Sequence, residues 1–102
     1  MIAALVLFPV PSGTTLDQMR EAYELSAPRF RDVSELLSKY YLFDGDTQGG
    51  AFYLWSTRAT AESFFDATWR EALTERYGAP PKLSMFEVPV AIDNVATARC
   101  QL

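Results

Sequence analysis

The chain has 102 residues, 49% of them hydrophobic and 22% charged, with a formal net charge of −4 and a pI near 4.6. That length holds one domain around one core, residues 1–102. The acidic balance opposes the basic surface needed for nucleic acid or an anionic membrane, so neither is expected as a partner.

Ile2 to Phe8 is a continuous apolar run closed by Pro9 and Pro11, the pattern of a central strand covered on both faces. The opening MIAALVLFP is not read as a targeting segment. It lacks a charged leader, its apolar run is short, and no small-residue cleavage site precedes Pro9. It also falls well below membrane-spanning length.

SGTTLD marks a helix start, with Thr14 as N-cap and Asp17 three positions on. Leu16, Met19, Tyr23, Ala27, Phe30 and Val33 then form one apolar stripe at helical spacing. Pro28 interrupts it and predicts a kink or a restart, since proline removes a helical hydrogen bond. Leu36–Phe43 and Ala51–Trp55 read as the second and third strands, joined by the Asp- and Gly-rich DGDTQGG. Arg58 to Tyr77 is helical, and Thr68 with Glu71 suggests two helices meeting near residues 66–68. Gly78, Pro80 and Pro81 stop it. Leu83–Val88 is the fourth strand, and 91–102 reads as a tail without period.

The order β-α-β-β-α-β predicts an α+β, ferredoxin-like domain: a four-stranded antiparallel sheet in the order 4-1-3-2 with helices on one face. The hairpin KYYLFDGDTQGGAFYLW carries aromatic residues on both sides. Helices cover one sheet face, so the other calls for a partner, and a homodimer through the sheet face supplies it.

Several chemistries are excluded by the residues. The chain has no histidine and one cysteine, Cys100. That removes Ser-His-Asp and Cys-His systems, histidine-based metal sites, zinc–thiolate sites and an intrachain disulfide. A lone cysteine fits a reducing, cytoplasmic location. No phosphate-binding glycine loop occurs. Asp44, Asp46, Gln48 and Gly49 match part of a calcium loop, but the twelfth position is Trp55 in place of a bidentate Glu. The segment is read as a hairpin turn.

What remains is a cation among aromatics. Lys39 shares a strand face with Tyr41 and Phe43, and Tyr53 shares one with Trp55. Depending on register, Tyr53 or Phe52 joins the face of Tyr41. Trp69 and Tyr77 project from the second helical region. Such residues suit either a small-molecule pocket or core packing with Lys39 snorkelling from an edge. A lysine inside a pocket would lose hydration and become a base or an anion partner.

The run LLSKYYLFD…GGAFYLW, then W-R-x-x-x-x-x-R-Y-G-x-P-P and F-x-V-P-V, resembles small monooxygenases of the dimeric α/β-barrel superfamily, which includes antibiotic-biosynthesis monooxygenases. The resemblance covers residues 2 to 94. It implies a homodimer whose sheets form a barrel and a pocket between each sheet and its helices. It also implies oxygenation of a small aromatic or enolisable compound with no cofactor and no metal. Some relatives place a histidine near the substrate, and this chain departs from them. On this reading Lys39 is the catalytic residue that forms or holds the substrate anion. Tyr41 and Tyr53 hydrogen-bond the substrate, and Trp55 and Trp69 stack on its ring. The alternatives are a non-catalytic dimeric ligand-binding or accessory protein, and an isomerase or cyclase on the same scaffold.

Overall fold

The computed structural model describes residues 1–94. Its strands are β1 (Ile2–Pro9), β2 (Leu36–Phe43), β3 (Gln48–Trp55) and β4 (Lys82–Glu87), and its helices are α1 (Leu16–Ser26), α2 (Arg58–Phe64) and α3 (Ala67–Tyr77). A 3-10 turn over Ala27–Phe30 follows α1. The strands pair antiparallel in the order β2-β3-β1-β4, which is the expected 4-1-3-2 order viewed from the other edge. The fold is thus α+β and ferredoxin-like. Residues 91–94 carry no regular element, and the rest of the expected tail, with Cys100, lies outside the described residues.

Local chemistry explains where the elements begin. The N-cap of α1 is Thr15, not Thr14, in a reciprocal capping box with Gln18. Thr14 is already engaged, because its hydroxyl donates to the Pro11 carbonyl at 2.6 Å and closes the preceding turn. The two helices do meet at residues 65–66, but Asp66 caps α3 in place of Thr68. The Asp66 carboxylate accepts from the Trp69 amide at 2.9 Å, where a negative charge also meets the positive end of the helix. Gly78 ends α3 in the left-handed region, at φ 79°, which favours glycine. Pro28 produces a restart: α1 stops and the chain tightens into the 3-10 turn.

β3 begins three residues earlier than the sequence pattern suggests, taking in Gln48, Gly49 and Gly50. In the turn before it, the Asp44 carboxylate accepts the amides of Asp46 and Gln48, which holds its pKa below the ordinary value. That carboxylate serves the hairpin.

Register sorts the aromatic side chains into two sets. Lys39 opposes Tyr53, Tyr41 opposes Ala51, and Tyr40 opposes Phe52. Lys39, Tyr41, Tyr53 and Trp55 therefore face the helices. With Ile2, Ala4, Val6 and Phe8 of β1, that face meets Met19, Ala61 and Phe65 from the helices in the buried core. The opposite face carries Leu5, Leu7, Tyr40, Phe52, Leu54 and Phe86, and Tyr40 and Phe86 are about half exposed, at 51% and 55%. Among the described residues no helix is long and apolar enough to cross a membrane.

Candidate functional site

Between the helix-facing side of the sheet and the helices lies a cavity of about 480 Å³. β2 and β3 form its floor with Lys39, Tyr41, Ala51 and Tyr53. Its walls come from Ser26, Arg29, Phe30, Phe64, Trp69, Leu73 and Tyr77. Most of that surface is aromatic or aliphatic with a few converging polar atoms, the usual make-up of a small-molecule site.

Lys39 is the centre of the polar set. Its Nζ lies 3.2 Å from the centroid of Phe30, 4.2 Å from Tyr41 and 4.7 Å from Tyr53. Phe30 is the last residue of the 3-10 turn that Pro28 opens. No ion pair or hydrogen bond to Lys39 is found among the described residues. Burial, and after it the charge of Arg29, push the Lys39 amine down to about 7. The ring faces oppose that shift, since each attracts the charged form.

The tyrosines divide by what their hydroxyls already do. Tyr23 donates to the Leu42 carbonyl at 2.8 Å and accepts from the Gly50 amide at 3.2 Å, so it ties α1 to the hairpin. Burial pushes its pKa up to about 12, and it stays protonated. Ser26 Oγ donates to the Tyr23 carbonyl at 3.1 Å and lies 2.7 Å from the Tyr41 hydroxyl. Ser26 has one proton, so Tyr41 is the donor in that pair. Tyr53 is buried, which raises its pKa, and the Trp69 side chain opposes that rise. A protonated Tyr53 hydroxyl is able to donate.

Of the residues singled out from the sequence, Lys39, Tyr41, Tyr53 and Trp69 come together on the cavity wall. Trp55 does not line it. Only 1% exposed, it packs in the core with ring centroids 5.1 Å from Phe64 and 5.8 Å from Phe65. Its side chain points to the same sheet face as Tyr53, but α2 sits directly on it. Strand alternation gives the face and says nothing of which part the helices seal. Arg29, Phe30 and Arg76 also line the cavity, though the sequence reading did not place them in the site. Phe30 was visible there as a stripe residue and Arg76 as part of the R-Y-G run that reads as helix surface, whereas nothing in the spacing marks Arg29.

Among the solved structures similar to the chain are two that each cover 90% of it. One is a monooxygenase from the gene ActVA-Orf6 of Streptomyces coelicolor, in complex with the ligand nanaomycin D. It is 24% identical, with 90% of each chain covered and a TM-score of 0.64. The other is NE2512, a protein of unknown function from Nitrosomonas europaea, 14% identical. There 90% of this chain and 92% of that one are covered, again at a TM-score of 0.64. At such identities the similarity shows the shared fold. No protein-family model and no curated protein matches the chain.

Proposed function

We propose that this protein is a cofactor-independent monooxygenase acting on a small aromatic or enolisable compound held between sheet and helices. The observation that carries the reading is Lys39, its amine set among the rings of Phe30, Tyr41 and Tyr53 in a cavity that no carboxylate lines among the described residues, where burial lowers its pKa to about 7. A monooxygenase on the same fold, solved with a small-molecule ligand, supports it.

The substrate class is a ring system with a phenol or with a methylene made acidic by an adjacent carbonyl. The neutral Lys39 amine removes the proton and becomes an ammonium beside the anion it has made. Tyr53 donates to the anion's oxygen, and Tyr41 follows by leaving Ser26. For the methylene case, the electron-rich anion passes one electron to O₂, and the resulting radical pair forms a carbon–oxygen bond. Lys39 returns its proton to the peroxide, which loses water. The sum is CH₂ + O₂ → C=O + H₂O, with the substrate as reductant. Trp69 stacks on the ring, and Trp55 takes no part in binding. A cytoplasmic setting belongs to the same reading, in keeping with the lone cysteine.

An oxygen electrode with a panel of phenols, quinols and enols, and no added cofactor, tests the proposal. Protein-dependent uptake, with label from ¹⁸O₂ in the product, is expected for at least one compound. Failure across the panel rejects it. Ligand-induced thermal stabilisation without uptake would point to a binding protein, and a spectral change without uptake to an isomerase.

The proposal includes a homodimer through the outer sheet face, where Leu5, Tyr40, Phe52 and Phe86 would be covered. Sedimentation at micromolar concentration is expected to give a dimer, and Phe52→Glu a folded monomer. A wild-type monomer would remove this part.

A further inference from the structure

Charge around the cavity is distributed against the trend of the chain. The sequence has 13 acidic residues and 9 Lys and Arg. Yet the charged residues lining the cavity are Arg29, Lys39 and Arg76, and no carboxylate lines it among the described residues. Three like charges around one space repel one another, as the effect of Arg29 on Lys39 shows. In a chain with spare carboxylates, the arrangement makes sense if the compensating charge arrives with the ligand.

The three cations also differ in depth. Lys39 is half-buried under Phe30, whereas Arg29 and Arg76 are exposed. Arg29 sits in the 3-10 turn and Arg76 in the last turn of α3, so two separate elements bring them to the cavity. Beyond them lies a second cleft, of about 480 Å³, lined by Leu25, Ser26, Arg29, Arg76 and Tyr77. The two arginines thus stand at the junction of an inner aromatic space and an outer one. Neither makes an ion pair with another side chain among the described residues.

We infer that the substrate carries a carboxylate besides its reacting ring, and that Arg29 and Arg76 hold this carboxylate at the mouth while the ring lies inside against Lys39, Tyr53 and Trp69. The inference rests on the monooxygenase reading for the ring end and names the substrate class more narrowly: an aromatic or enolisable acid. A carboxylate is ionised at neutral pH and strongly hydrated, so the exposed mouth suits it better than the inner cavity. Guanidinium groups present paired donors that match its two oxygens. A positive entrance on a protein of net charge −4 also draws an acid in by a field that salt weakens. Arg29 and Arg76 are specificity-determining residues on this view, and neither touches the reacting atoms.

Binding without turnover provides the test, so that it stands apart from the oxygen assay. The probes are 6-hydroxy-2-naphthoate and 3-(6-hydroxynaphthalen-2-yl)propanoate, each compared with its methyl ester by calorimetry. At low salt at least one acid is expected to bind about tenfold or more tightly than its ester. The preference should shrink at 0.5 M NaCl and vanish in the Arg29→Gln/Arg76→Gln double variant, with ester affinity changed far less than acid affinity. Both positions are exposed, and an unaltered thermal transition would confirm that the variant is folded. Equal binding of acid and ester, binding of neither, or an acid preference that survives the double substitution would each overturn the inference. If the acids bind as expected but no compound consumes oxygen, the monooxygenase reading falls and the carboxylate site stands.

Discussion

Lys39→Met is expected to lower oxygen uptake by about a hundredfold or more, the scale of losing a positioned base, while making the fold more stable. The two effects have one cause. Lys39 holds a proton-binding group where water is scarce, and its pKa of about 7 compares with an ordinary lysine value of 10.5. Below pH 7 folded and unfolded chains both carry the charge, and the native state bears the cost of a half-buried cation. Between about 7 and 10.5 the folded chain is neutral there and the unfolded chain is not. The unfolded state then binds more protons, so stability rises with pH through that window. Methionine fills a similar volume without charge, and about 1 kcal/mol of stabilisation at pH 6 is expected after the attraction of three ring faces is lost. Chemical denaturation at pH 6 and pH 9 checks this, with the Lys39 contribution to the pH slope absent in the variant. In the wild type, uptake should climb through pH 7 as the amine loses its proton. Lys39→Arg separates the roles, since a guanidinium keeps the charge and cannot serve as a base. An Arg variant as active as wild type would assign Lys39 to holding the anion alone.

The sequence carried the fold because its signals agree with one another. A doubly covered apolar run, two helical stripes and an Asp-Gly turn leave few right-handed arrangements, and the strand order follows. It carried less of the site. Lys39, Tyr41 and Tyr53 were legible through strand alternation once a register was assumed, and pairing Lys39 with Tyr53 supplies that register. Trp55 was misplaced as a lining residue because sealing by α2 depends on where a helix lands. Arg29 and Arg76 are far apart in sequence and belong to different elements, so their convergence exists only in the packed molecule. The capping residues were off by one or two positions for a similar reason: several Thr and Asp side chains compete, and Thr14 closes the preceding turn instead, while Asp66 takes the cap of α3.

Gly50→Ala is expected to destabilise the protein by about 4 kcal/mol, a large part of the roughly 5–15 kcal/mol available to a small domain. The backbone angle at Gly50 is one that any residue adopts, so the cost is steric. A Cβ there would overlap the Val6 carbonyl oxygen and come within 3.1 Å of the Val6 carbonyl carbon and of Leu7 Cδ2. Val6 belongs to the central strand β1, which is paired on both sides and has no room to retreat. The strain would reach the site directly. Gly50 donates its amide to Tyr23, Tyr23 stacks on Tyr41 at 4.6 Å, and Ala51 next door opposes Tyr41 in the sheet. Gly49→Ala offers the comparison, because its Cβ would meet side chains: the Tyr23 hydroxyl at 2.7 Å, Phe8 Cε1 at 2.9 Å and Met19 Cε at 3.2 Å. Met19 is able to yield, whereas Tyr23 is held by two hydrogen bonds and Phe8 is stacked 3.9 Å from Tyr77. A smaller loss, about 2 kcal/mol, is expected. At roughly 4–8 °C per kcal/mol for a domain of this size, thermal unfolding should show Gly50→Ala lowering Tm by about 15 °C or more, and Gly49→Ala by less. A Gly50→Ala transition within about 3 °C of wild type would mean that β1 and β3 spread without cost, and with them the floor of the cavity.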